Sequence, residues 1–234
     1  MSLSPACPVV FLGPSLSRAD AGQILRADFR PPAGQGDIFR ACSARPPAIG
    51  LIDGIFRDAP TVRHREILWA MSRGIPVFGA ASMGALRAAE LAPQGMIGVG
   101  LIYRWYRRFP LLADDAVAVT HAPAALGSKP LSDALVDIRR SLSTAARRGL
   151  CSGETAMAET LRIARQPFPQ RKLPEDFVAS RVDQKSRDAR ALLQLLARHQ
   201  ASDAWPRVAC EPPPLVHAWL DDLQDSNLRL PDGP

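Results

Sequence analysis

A chain of 234 residues with 47% hydrophobic side chains can bury a sizeable core, and is long for one domain but short for two full ones. It has no apolar run of about 18 residues, which argues against a spanning helix, and Met1 to Ala6 lack the basic start and apolar stretch of a signal peptide. The net charge of +6 is an arginine charge, since Lys129, Lys172 and Lys185 are the only lysines among 29 basic residues, so nucleic-acid binding ranks last.

Four cysteines, Cys7, Cys42, Cys151 and Cys210, lie far apart without C-x-x-C spacing. They read as packed, reduced thiols of a cytoplasmic protein, and no zinc site is expected.

From Pro8 to His121 short apolar runs alternate with helical segments. Strands are expected at 9–12, 49–52, 75–78 and 116–119, with a weaker candidate at 28–30 ahead of the Pro31-Pro32 turn. Helical patterns fall at 17–27, 37–44, 62–72 and 83–91. Short connections between alternating strands and helices predict an open, mainly parallel α/β sheet of Rossmann-like or flavodoxin-like type. Beyond Gly127 the grammar changes: Leu131, Leu135, Ile138, Leu142 and Ala145 recur at helical spacing. Met157, Leu161 and Ala164 repeat the pattern, and 188–199 gives a third amphipathic run. We therefore divide the chain into an α/β core at 8–122, a helical extension at 128–200 and a proline-rich tail at 201–234 with one helical piece at 215–223.

Within Tyr103-Arg104-Trp105-Tyr106-Arg107-Arg108, aromatics interleave with cations. The pattern fits first an amphipathic helix with buried aromatics and solvated arginines, and second a surface that stacks bases or seats an acidic partner.

Polar residues gather where parallel strands should end, and ligands of open α/β sheets bind there. The first strand runs into Gly13-Pro14-Ser15, the second into Gly36-Asp37, the third into Asp53-Gly54, and the fourth into Ala80-Ala81-Ser82-Met83-Gly84. Each cluster alone is turn chemistry; four together point to one site. Ser82 either caps the following helix or attacks a substrate, and Ala80-x-Ser82-x-Gly84 is one residue short of the G-x-S-x-G nucleophile elbow. Small neighbours would let a slim ligand approach, and the N–H groups of Met83 and Gly84 would stabilise negative charge. Asp53 and His64 are the candidate partners of Ser82, with His121 the second choice of base. Glu90 lies about 12 Å further along the helix from Ser82 and pairs more readily with Arg87.

The ordered motifs from Val10-Phe11-Leu12-Gly13-Pro14-Ser15 through Leu51-Ile52-Asp53-Gly54 and His64-Arg65-Glu66 to Ser82-Met83-Gly84-Ala85-Leu86-Arg87 resemble the core domain of TfuA-like proteins. Gly95-Met96-Ile97-Gly98-Val99-Gly100 and Asp114-Asp115-Ala116-Val117 continue the likeness, which covers roughly residues 8–120. The resemblance implies a role beside a YcaO-type enzyme in forming backbone thioamides on a precursor peptide or protein. It also implies hydrolysis of a thiocarboxylated, ubiquitin-like (ThiS-like) sulfur carrier to release sulfide. Catalytic work then falls to Ser82, Asp53 and His64, and substrate binding to Gly13, Ser15, Asp37, Gly54, Met83, Gly84 and Arg87. The alternative is a non-catalytic adaptor that binds the carrier or peptide and brings it to the YcaO enzyme. A phosphate-binding reading is weak, because neither G-x-G-x-x-G nor G-x-x-x-x-G-K-[ST] occurs. No cofactor, metal, membrane or nucleic acid is expected.

Overall fold

The three apolar runs at the centre of the sheet are buried on both faces, as parallel strands covered by helices must be. They form β1 (Val9–Phe11), β3 (Ile49–Leu51) and β4 (Val77–Ala80). The edges are β2 (Asp28–Arg30) and β5 (Ile97–Val99). This computed structural model describes residues 7–56, 60–109, 113–122 and 129–214. The strand order is β2-β1-β3-β4-β5 with every pair parallel. That is the doubly wound, flavodoxin-like order, and it puts the topological switch point between β1 and β3.

Alternation along the strands separates two apolar layers. On one face Val9, Phe11, Ile49, Leu51 and Val77 pack under α2 (Asp37–Cys42), α3 (His64–Ser72), α4 (Met83–Glu90) and α5 (Gly100–Arg108). On the other, Val10, Phe29 and Phe78 are covered by α1 (Arg18–Gly22) and, from the far end of the chain, α8 (Gln184–Ser202). Leu192, Leu193 and Leu196 of α8 are fully buried there, each stabilising the fold by about 1.5–3 kcal/mol. Between these elements α6 (Leu135–Arg147) and α7 (Gly153–Ala164) pack together around Ile138, Leu142 and Ile163.

One strand expectation needs correction, and one strand was not expected. Residues 116–119 are not a strand. Asp114–Val117 is a 3-10 turn, and the chain then runs extended without joining the sheet. A short apolar run does not by its periodicity distinguish a strand from another buried segment. The fifth strand is instead Ile97–Val99, whose central Gly98 weakens its strand character. A side chain at Gly98 would overlap the ring of Tyr103, which lies against that backbone. The helical piece expected at 215–223 lies outside the described residues.

Candidate functional site

At the switch point the ends of β1 and β3 are tied together by one carboxylate. Asp53 is 1% exposed. Its Oδ2 accepts the N–H groups of Gly13 and Ser15 at 2.9 and 3.1 Å, and its Oδ1 accepts the Ser15 hydroxyl at 2.6 Å. Charge-assisted bonds of this length are strong, so Asp53 fixes the 13–15 loop.

Beside it, β4 ends in a sharp turn. Ala81 has φ +64°, and the Ser82 N–H donates to Ala80 O at 2.8 Å, closing a three-residue γ-turn. Positive φ at a residue with a Cβ stores about 1–3 kcal/mol and marks functional sites more often than ordinary turns. Ser82 then stands at the N-cap of α4, yet its side chain makes no capping bond. Its Oγ instead donates to Val117 O at 3.5 Å, the long limit of a hydrogen bond. Most of the hydroxyl's bonding capacity is therefore uncommitted.

The glycines around Ser82 act differently from the sequence expectation. A Cβ at Gly84 would strike Leu51 O, and one at Gly79 would strike Gly84 O. They let α4 sit directly on β3 and β4, which is a packing role. The Gly84 N–H also donates to Ile52 O at 3.2 Å, so it is not an open donor for an anion. The Met83 N–H, at the first helical position, has no intrahelical acceptor.

Asp53, Gly54, Ser82 and Met83 line one side of a pocket of about 290 Å³. Phe56 and Phe168, edge to face at 5.8 Å, both line it as well. Residues 117–121 form a further wall and bring His121 into the lining. The His121 Nδ1 lies 2.9 Å from Ala122 O and can only be the protonated nitrogen there, which leaves Nε2 as the acceptor of the neutral ring.

The 114–121 segment is held by two buried cations that sequence reasoning missed. Arg171, 3% exposed, clasps Asp115 through its carboxylate and its carbonyl, both at 2.9 Å. Lys185, at the start of α8, donates to Val117 O at 2.9 Å and lines the pocket. Its backbone is set by Asp137, whose Oδ1 accepts the Gln184 and Lys185 N–H groups at 2.8 and 3.1 Å. Burial, reinforced by Asp183 and opposed by Lys185, pushes the Asp137 carboxyl up to about 7. The only sequence signal for Lys185 was the scarcity of lysine; nothing local ties it to Ser82.

Gly13, Ser15 and Gly84 stand behind the lining of this pocket, and His64, Arg87 and Asp37 are engaged elsewhere. His64 pairs with Glu90 through Nε2 at 2.8 Å, and Arg87 binds the same Glu90 oxygen at 2.7 Å and Val62 O at 3.2 Å. Partial burial raises the Glu90 carboxyl, but hydrogen bonds from His64 and Arg87 outweigh it and hold the group below its ordinary value. Since Glu90 is about 12 Å along α4 from Ser82, the structure does not bring His64 to Ser82. Asp37 is likewise a turn residue, accepting Gly34 N–H at 2.8 Å and pairing with Arg40 at 2.9 Å.

A family model for TfuA-like proteins matches residues 53–172. The chain belongs to the TfuA-like family. TfuA-like proteins are associated with YcaO-type enzymes and thioamidation. The matched segment begins at Asp53 and includes Ser82, His121 and Arg171, whereas β1, β2, β3 and Lys185 lie outside it. It also runs through α6 and α7, further than the 8–120 span of the sequence likeness. No curated protein matches this TfuA-like chain. Among its described residues no helix is long and apolar enough to cross a membrane, and no cluster of three or more His, Cys, Asp or Glu side chains could hold a metal.

Proposed function

We propose that this TfuA-like protein releases sulfide for a YcaO enzyme by hydrolysing the C-terminal thiocarboxylate of a ubiquitin-like sulfur carrier. The observation that carries the reading is Ser82. It sits after a strained turn, on the rim of a pocket at the switch point, with its hydroxyl unused as a helix cap. A pocket of about 290 Å³ walled by Gly54 and two aromatic rings suits a slim peptide terminus.

In this scheme Ser82 Oγ adds to the thiocarboxylate carbon, the C–S bond breaks, and water then cleaves the acyl-serine. Overall, thiocarboxylate and water give carboxylate and hydrogen sulfide, so atoms and charge balance. Asp53 is a positioning residue that fixes the 13–15 loop. His121 takes the place first given to His64, because its Nε2 is the ring's acceptor and it lines the same pocket.

One observation favours the adaptor reading: Ser82 Oγ hydrogen-bonds a backbone carbonyl, not a base. The two are separated by sulfide release from a thiocarboxylated ThiS-like carrier, measured per folded molecule for the wild type, Ser82→Ala and His121→Ala. The hydrolase reading requires release by the wild type and its collapse in Ser82→Ala. Release unchanged in Ser82→Ala with loss in His121→Ala would mean attack by an activated water. Carrier binding without any release would mean an adaptor.

A further inference from the structure

Lys185 has no chemical role in the scheme above, and its setting is unusual for a lysine. Its side chain is 3% exposed, and no carboxylate oxygen of the described residues lies within 4.0 Å of its ammonium. Nζ bonds Val117 O at 2.9 Å, the same carbonyl that Ser82 Oγ reaches at 3.5 Å. Asp137 interacts with the ammonium electrostatically, but its Oδ1 is engaged by the backbone N–H groups of Gln184 and Lys185. Burying a cation forfeits its hydration, and an ammonium has three donors of which the carbonyl takes one. Among the described residues lining the pocket, Lys185 is the one Lys or Arg.

We infer that Lys185 is the anion-holding residue of this pocket. Its ammonium pairs with the anionic terminus of the carrier and then with the oxyanion formed when Ser82 adds. The assignment rests on the thiocarboxylate reading for its substrate, and on the pocket alone for its charge preference. A thiocarboxylate is already an anion, so nucleophilic addition to its carbon gathers further negative charge at one place. In a site shielded from water a fixed cation offsets that charge far better than solvent does. Asp53 cannot serve, because it is itself anionic and both its oxygens already accept hydrogen bonds. In the step itself the Oγ–C bond forms and the C–S bond breaks. The electron pair leaves with sulfur, and the Ser82 hydroxyl proton ends on it as hydrosulfide.

The test uses the full chain and a ThiS-like carrier carrying a C-terminal thiocarboxylate, carboxylate or carboxamide. We expect the wild type to bind the carboxylate form at least about tenfold more tightly than the carboxamide. Lys185→Met removes that preference and slows sulfide release, whereas Lys185→Arg keeps the preference. Thermal unfolding is followed in parallel, and Lys185→Gln replaces Lys185→Met if the latter does not fold. A preference that survives the neutral substitution that folds, or a wild type that shows none, overturns the assignment. A wild type that prefers carboxylate yet releases no sulfide overturns the hydrolase reading and leaves Lys185 as the anion site.

Discussion

Ser82 is the residue on which the chemistry turns, and its environment makes a substitution unusually informative. A serine N-cap normally contributes about 1 kcal/mol, but this hydroxyl caps nothing and makes only a 3.5 Å contact. Ser82→Ala should therefore leave the thermal transition unchanged while sulfide release falls by about 10²-fold or more. Stability and turnover measured on the same preparation check both halves. Asp53→Asn should behave differently. It removes the charge that strengthens all three bonds and turns the Ser15 hydroxyl from donor to acceptor, at a cost of about 1–3 kcal/mol, and so loosens the 13–15 loop. Turnover should drop together with the melting temperature, which separates a positioning carboxylate from a nucleophile. His64→Ala, by contrast, should keep turnover within about twofold, since its partner Glu90 lies away from the pocket. A large loss there would restore His64 to the mechanism.

At the scale of elements, the site depends on how closely α4 can approach the sheet. Gly84 lies on Leu51 O and Gly79 on Gly84 O, so a methyl group at either position pushes helix and strands apart. Gly84→Ala should destabilise by at least about 1–3 kcal/mol, as overpacking does, despite the better helix propensity of alanine. Chemical denaturation would show this, and an unchanged midpoint would mean that the helix can shift freely. The start of α8 is a second such junction, because Asp137 holds the backbone of Lys185. Burial raises the Asp137 carboxyl from 3.8 to about 7. The folded chain thus binds the Asp137 proton more tightly than the unfolded chain does. The stability contributed by that proton is complete below about pH 3.8 and is lost as pH rises to about 7. Asp137→Asn keeps an acceptor for the two N–H groups without the charge, so stability should fall less between those limits. Unfolding curves across that interval check the sign.

For the whole molecule, the exposed arginines of α5 are the clearest candidate contact with a partner. Arg104, Arg107 and Arg108 are exposed, while Ile102 and Tyr106 anchor the helix in the core and Arg139 stacks on Trp105 at 5.4 Å. Both expectations for this segment, buried aromatics and a cationic face, are compatible on one helix. Reversing the three charges should weaken association with the carrier or the YcaO enzyme and flatten its dependence on salt. Binding that is unchanged at low ionic strength would remove the patch from the account.

The amino-acid sequence by itself pointed to the parallel sheet, because the runs at 9–12, 49–52 and 75–78 are apolar on both faces and alternate with helical segments over short connections. It also placed Asp53 and Ser82 at one edge of the sheet, since the carboxyl ends of parallel strands share an edge, and both line the same pocket. It misplaced the fifth strand, whose glycine and half-exposed edge carry little β signal, and took an apolar wall at 116–119 for a strand. Only the tertiary structure decided who else stands at the pocket. Lys185 lines it because α8 folds back over the second face, and His121 lines it because Arg171 clasps the 114–121 segment from afar. Such contacts are set by side-chain packing between segments distant in the chain, which no local pattern encodes. The same packing sent His64 to Glu90 and gave Gly84 to the Leu51 carbonyl, where local spacing had suggested a base and an anion donor.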